Sequence, residues 1–326
     1  MAESTKISWT SATWNVARGC SKVSEGCKNC YMYRDSLDNT RYDAKRVTRT
    51  KTVFDNPLKW KEPKLIFTSS LTDVFHEDIF PFIHEVFRII YLCRNLHIFQ
   101  MLTKRPENII PALKKAYEQA CELGSDNSDY LNLAVWLEAW LNGHPPSCVW
   151  LGVSIESDEY IERGMLLRRI PAHIRFISFE PMLEEITPGR LLLTYVHNCP
   201  HTSGACYGNT WACCACELPT PPSEELPPID WVILGGESGN NQGKYTYRPC
   251  QVDWIEQLAY QFQQIGTAVF IKQLGTHLSK ELGLTDRHGT DPSEWPEHLQ
   301  IQDFPAIDHA ALLAACGKYE VKSDTK

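Results

Sequence analysis

Seven short runs of aliphatic, β-branched and aromatic residues recur along the chain, at 7–16, 64–68, 97–102, 148–153, 174–179, 230–234 and 268–271. Most are nearly continuous in their apolar character, as strands buried on both faces are. Between them the spacing turns helical. Residues 81–95 align Phe82, Val86, Ile89, Ile90 and Cys93, residues 252–265 align Val252, Ile255, Leu258, Phe262 and Ile265, and further helices are predicted over 107–123, 128–142 and 158–169. Pro106 sits at a helix start, where its missing N–H costs nothing. Strands alternating with helices predict an α/β fold with a parallel sheet, and a partial (β/α) TIM-like barrel fits best. Residues 276–304 carry no such pattern and read as irregular, with a last helix predicted over 306–316.

A parallel sheet of this kind presents its chemistry at the carboxyl ends of its strands. Polar residues stand at those ends: Ser69, Ser70 and Asp73; Thr103, Lys104 and Arg105; Ser154 and Glu156; Ser178 and Glu180; Glu237 and Ser238 behind Gly235 and Gly236; Lys272 and Gln273. Taken singly, Ser69 or Asp73 reads as a helix cap and Glu156 or Glu180 as a surface carboxylate. Their repetition predicts one polar ring around one mouth, with the glycines allowing backbone to approach a ligand closely.

The first run leads into Cys20, Cys27 and Cys30, spaced C-x6-C-x2-C in a loop bearing Gly19 and Gly26. Three thiolates so close can converge on a soft metal centre, iron–sulfur or zinc. Three local ligands instead of four point to a cluster with one open iron. A chain of 326 residues with 43% hydrophobic content has material for a large core. Nothing in it marks a membrane span or a secretory signal, so a cytoplasmic, reducing setting is expected, in which 13 cysteines are thiols and ligands.

The net charge of −8 argues against gripping duplex nucleic acid over the whole surface. Residues 1–64 nevertheless carry 13 Lys and Arg against 7 Asp and Glu, and 41–51 holds Arg41, Lys45, Arg46, Arg49 and Lys51 with Asp43 as its one acid. This stretch reads as a solvated face or as a landing place for a phosphate-bearing substrate. Three regions follow: a barrel of 1–187 with 229–275, a Cys-rich insertion at 188–228, and an extension over 276–326. Within the insertion Cys199, Cys206, Cys213 and Cys216 are the best ligands for zinc or a second cluster, with His201 and Cys214 as substitutes.

The cysteine loop with Tyr31, Ser-Leu-Thr-Asp-Val-Phe-His at 70–76, Leu-Thr-Lys-Arg-Pro at 102–106, Leu-Gly-Val-Ser-Ile-Glu at 151–156, Phe-Ile-Ser-Phe-Glu-Pro at 176–181, Gly-Gly-Glu-Ser-Gly at 235–239, Phe-Ile-Lys-Gln-Leu-Gly at 270–275 and Glu-Trp-Pro-Glu-His-Leu at 294–299 together resemble the phage gene-product-37/68 family. That family looks like a branch of the radical S-adenosylmethionine superfamily, with some resemblance to spore photoproduct lyase. The resemblance implies a partial barrel, a [4Fe–4S] cluster on Cys20, Cys27 and Cys30, S-adenosylmethionine on the open iron, and a flavodoxin- or ferredoxin-type electron donor in a bacterial host or phage-infected cell. The chain departs from the superfamily's commonest C-x3-C-x2-C spacing, and Ser69, Ser70 and Asp73 stand where a Gly-Gly-Glu is usual. On this reading Ser70, Asp73, Thr103, Lys104, Arg105, Ser154 and Glu156 contact the cofactor. Asp73 accepts from its amino group, Lys104 or Arg105 pairs with its carboxylate, and Ser154 and Glu156 take the ribose hydroxyls. Glu180, Glu237 and Lys272 face substrate, expected to be a nucleoside or nucleic-acid base. Two other readings stand beside it: a non-catalytic, zinc-stabilised nucleic-acid-binding protein, and a zinc hydrolase with Glu156, Glu180 or Glu237 as general base.

Overall fold

The computed structural model describes residues 4–36, 43–125, 127–196, 224–239 and 246–306. Seven parallel strands lie side by side in chain order: β1 (Ala12–Trp14), β2 (Lys64–Thr68), β3 (His97–Thr103), β4 (Val149–Ser154), β5 (Ile174–Phe179), β6 (Trp231–Gly235) and β7 (Ala268–Gln273). The sheet curls into a half-barrel. Helices α2 (Ile83–Cys93), α3 (Ile109–Gly124), α4 (Ser128–Leu141), α5 (Ile161–Arg168) and α6 (Val252–Gln264) connect the strands, and a short α1 (Tyr31–Ser36) follows the cysteine loop.

Alternation along each strand sorts the core into two layers. Outward residues such as Ile66, Phe99, Leu151, Ile177, Val232 and Ile271 meet the apolar faces of the helices. On α2 that face is Ile83, Val86, Phe87, Ile89, Ile90 and Cys93, all buried, so Cys93 is a core residue as its spacing predicted. Inward residues form a second cluster that fills the half-barrel, in which Trp231 touches Trp150, Phe176 and Phe270 at ring centroids of 5.7–6.0 Å. The inward positions above this aromatic floor turn polar, at Ser154, Ser178 and Lys272, and that change sets the depth of the mouth.

Three predicted boundaries move. The first strand is only three residues long, because Thr10 and Ser11 turn their hydroxyls onto the Leu65 carbonyl (both 2.9 Å) and Trp9 drops into the barrel interior. The helix expected from 81 begins as a 3₁₀ turn at Glu77–Phe82, with Pro81 inside it, and becomes α-helical at Ile83. The tail expected to be irregular holds α7 (Gly275–Glu281), which buries Thr276, Leu278 and Ser279, too polar a set to register as an amphipathic stripe. Beyond it, residues 301–303 pair antiparallel to the free edge of β7, and Phe304 stacks on Trp231 at 5.1 Å. A covered edge cannot template pairing with another chain.

Cys199, Cys206, Cys213 and Cys216 lie outside the described residues, as does nearly all of the helix expected at 306–316. The ends of the insertion are described. Tyr195–Val196 pairs antiparallel with Glu224–Glu225, and the buried Arg168 guanidinium donates to the carbonyls of Arg190, Leu193, Leu226 and Pro227. Among the described residues no helix is long and apolar enough to cross a membrane.

Candidate active site

The cysteine loop crosses the carboxyl end of the sheet and is fastened there by three strand-end carboxylates. After β2, Asp73 accepts from Phe75 N (3.0 Å) and Thr103 Oγ1 (2.7 Å) on one oxygen, and from Lys104 N (3.0 Å) and Arg105 Nη1 (3.1 Å) on the other. Arg105 in turn donates through Nη2 to the Ser21 carbonyl (2.9 Å) and hydroxyl (2.7 Å), and its Nη1 lies 3.9 Å from Cys20 Sγ.

After β4, the fully buried Glu156 accepts from Ser24 Oγ, Lys104 Nζ and, at 2.7 Å, Arg163 Nη1. The loop presses directly on this carboxylate: a Cβ on Gly26 would stand 2.2 Å from Glu156 Oε1. After β6, Glu237 accepts from Arg248 N (2.8 Å), Arg248 Nε (3.0 Å) and Asn29 Nδ2 (3.1 Å), with Arg248 Nη2 on its second oxygen. Arg248 Nη1 reaches the Glu25 carbonyl at 2.8 Å, closing the tie.

So fastened, the loop directs Cys20, Cys27 and Cys30 into one cavity of about 140 Å³, with Tyr33, Ser70, Lys104 and Ser154 among its walls. A second cavity of about 290 Å³ opens beside it over the barrel mouth, lined by Trp9, Phe67, Ser178, Glu180 and Lys272. Cys27, Cys30, Phe67, Ser70, Lys104 and Ser154 line both. Lys272 Nζ meets Glu180 Oε1 at 2.6 Å, a pair sharing the mouth with Ser154 and Ser178, which are register partners on β4 and β5. The predicted ring therefore exists, but its members divide. Asp73, Thr103, Arg105 and Glu237 both hold the loop and line a cavity, Ser70, Lys104, Ser154, Glu180 and Lys272 line the cavities, and Glu156 lies behind the loop and lines neither.

Asp73 lines the thiol cavity, and its two oxygens already accept four hydrogen bonds from within the chain. One expectation changes at this level. Glu156, with no exposed surface, does not face ribose hydroxyls. Gly236 lines the mouth and also packs on backbone, since a Cβ there would lie 2.3 Å from the Leu274 carbonyl oxygen.

Burial, then the Asp73 carboxylate, push the Cys20 thiol up, with Arg105 pulling the other way, and burial pushes Cys30 up. Burial and the three thiols beside it raise the Tyr33 phenol to about 12. Metal ligation at Cys20 and Cys30 thus releases protons, and the cationic Lys104 and Arg105 stand where they offset thiolate charge. Cys20, Cys27 and Cys30 all line the smaller cavity. Among the described residues no three His, Cys, Asp or Glu side chains gather as the ligands of a single ion.

The sequence profile of the family described as "Protein of unknown function (DUF5131)" matches residues 4–311. The chain belongs to the DUF5131 family. Comparison with curated proteins and with solved structures gave no match. The profile spans the sheet, the cysteine loop, the mouth and the insertion together, so the site just described lies wholly within the DUF5131 region. Sequence reasoning missed Ser24, Asn29, Arg163 and Arg248. Ser24 and Asn29 sit inside the quoted cysteine loop and were legible as polar loop residues. Arg163 and Arg248 carry no spacing signal, because their partners are 7 and 11 residues away around loops that only the fold brings back.

Proposed function

We propose that this chain is a radical S-adenosylmethionine enzyme of the phage gene-product-37/68 branch, acting on a nucleoside or nucleic-acid base in the reducing cytoplasm of a bacterial host or infected cell. The observation that supports it best is the placement of three thiols in a cavity continuous with the mouth of a parallel half-barrel. Cys20, Cys27 and Cys30 are the residues to hold a [4Fe–4S] cluster, and Ser70, Lys104 and Ser154, which line both cavities, are those to hold S-adenosylmethionine beside it. Bound there, the cluster and cofactor would supply one-electron chemistry for hydrogen abstraction from substrate, with the electron coming from a flavodoxin- or ferredoxin-type donor.

The chain's own residues do the rest. Asp73, Glu156 and Glu237 position the ligating loop through Arg105, Ser24 and Arg248. Trp9, Phe67 and Leu102 give the mouth an apolar wall that excludes water from a reactive intermediate. Glu180 and Lys272 form a hydrogen-bonded acid–base pair on the substrate side, able to move a proton between Oε1 and Nζ as charge develops.

Anaerobic purification with iron, sulfide and zinc analysis tests this directly. About four irons per chain, with their visible absorption, are expected in the native protein and are lost in Cys27→Ala. Glu180→Gln retains them, and incubation of the native protein with reductant and S-adenosylmethionine yields 5′-deoxyadenosine. Zinc with no iron after anaerobic reconstitution would overturn the proposal in favour of a zinc-stabilised binding protein.

A further inference from the structure

A separate cleft of about 420 Å³ opens beside the start of the cysteine loop, and its walls include Arg18, Arg46, Arg49 and Lys51. Its floor is the antiparallel ribbon of Ala17–Arg18 with Thr48–Arg49, so the cations are carried on paired backbone. Arg49 is fixed, with an ion pair to Glu85 and its guanidinium 3.8 Å over the Phe54 ring. Arg18, Arg46 and Lys51 are exposed. The acid in the wall, Asp43, is exposed and accepts from Lys45 N at 2.9 Å.

In a chain of net charge −8, a cleft with four cations and one acid concentrates positive potential at a single place. Arg18 lies two residues before Cys20, at most about 7 Å of extended chain, so the cleft adjoins the thiol cavity. We infer that this cleft binds the phosphates of a single-stranded nucleic acid and so seats the strand beside the mouth. Guanidinium forks suit phosphate oxygens, and a strand carries the successive anions that several separated cations need. A duplex would meet the acidic remainder of the surface, whereas a single strand can follow one groove and offer a base to the aromatic mouth. The substrate class named here rests on the catalytic reading of the mouth; the binding does not.

The test is fluorescence anisotropy of the full-length protein with a labelled oligodeoxynucleotide of about twelve nucleotides, a length within the usual site sizes for such folds. Arg46→Ala combined with Lys51→Ala is expected to weaken binding about tenfold at about 0.1 M salt. The log–log salt slope is expected to fall by about 1.4, the single-strand value for two lost phosphate contacts. Both side chains are exposed, so thermal unfolding and iron content should stay unchanged. Arg18→Ala supplies a second variant should the pair fold poorly, and the same direction of change is expected.

Equal binding by native and variant proteins overturns the inference. So does tight binding of inorganic phosphate without oligonucleotide binding, or equal binding of poly-glutamate or of anionic vesicles. Cys27→Ala should bind the strand as the native protein does. Strand binding by a protein that takes up no iron would leave the cleft standing while the radical proposal fell.

Discussion

Glu156 shows how far a single carboxylate can shape this site. Burial alone would raise its pKa, but Lys104 and Arg163, with hydrogen bonds from Lys104 and Ser24, outweigh burial and hold it below the ordinary carboxylate value of 4.5. A group depressed in the folded state stabilises the protein above its unfolded value, and that contribution is lost as pH falls through the folded value. Glu156→Gln leaves Lys104 and Arg163 without their counter-charge at neutral pH, and breaking such a buried pair costs about 3–5 kcal/mol. Urea unfolding of native and variant proteins should therefore differ by this much at pH 7, and the gap should close as pH falls below the ordinary carboxylate value and the native carboxyl protonates. A gap independent of pH would show that packing against Gly26, not charge, is what Glu156 provides. The residue's position at a strand end was legible in the sequence. Its task was not, because a strand-end glutamate facing a ligand and one facing a loop have the same local signature.

At the scale of elements, the cysteine loop holds little regular structure: one 3₁₀ turn at Glu25–Cys27 and the start of α1. Its shape comes from the three ties, of which Glu237 with Arg248 fastens its second half through Glu25 and Asn29. Arg248→Ala is expected to free that half. In metal-free protein alkylation of Cys27 and Cys30 should accelerate severalfold while Cys20, held from the Arg105 side, changes little. Arg248→Lys should not restore the native rates, since an ammonium cannot serve both Glu237 oxygens and the Glu25 carbonyl with one planar fork. Uniform acceleration at all three cysteines would mean that the loop moves as one body. The seven strands and five of the helices were readable from apolar runs and 3.6-residue spacing, because burial on two faces or on one stripe writes itself into the order of residues. The extent of the first strand and the presence of α7 were not, as one is shortened by side-chain hydrogen bonds from Thr10 and Ser11 and the other buries Thr276 and Ser279. Long-range pairs such as Ser24 with Glu156, 132 residues apart, leave no trace in spacing at all.

Across the whole molecule the half-barrel separates its cysteines into chemical classes. Cys93, Cys148 and Cys250 are buried among core side chains, and burial pushes their thiols up to about 11, about 12 and about 12. At pH 8 a thiol at about 12 is thiolate in roughly one molecule in ten thousand, and the thiolate is the reactive form. Cys20, Cys27 and Cys30 are half-buried around a cavity that reagents can enter, and Cys121 is exposed on α3. Iodoacetamide labelling at pH 8, read by peptide mass, should therefore modify Cys121 first among the described cysteines in every form of the protein. It should modify Cys20, Cys27 and Cys30 in metal-free protein, and reach Cys93, Cys148 and Cys250 only after denaturant opens the core. Reconstitution with iron and sulfide should protect the loop cysteines and leave Cys121 unchanged. Since the reagent reports on each sulfur separately, protection of all three loop positions together ties the metal to this cavity. Labelling of Cys20, Cys27 and Cys30 at undiminished rates in an iron-loaded protein would place the metal elsewhere in the chain and remove the thiol cavity from the proposed chemistry.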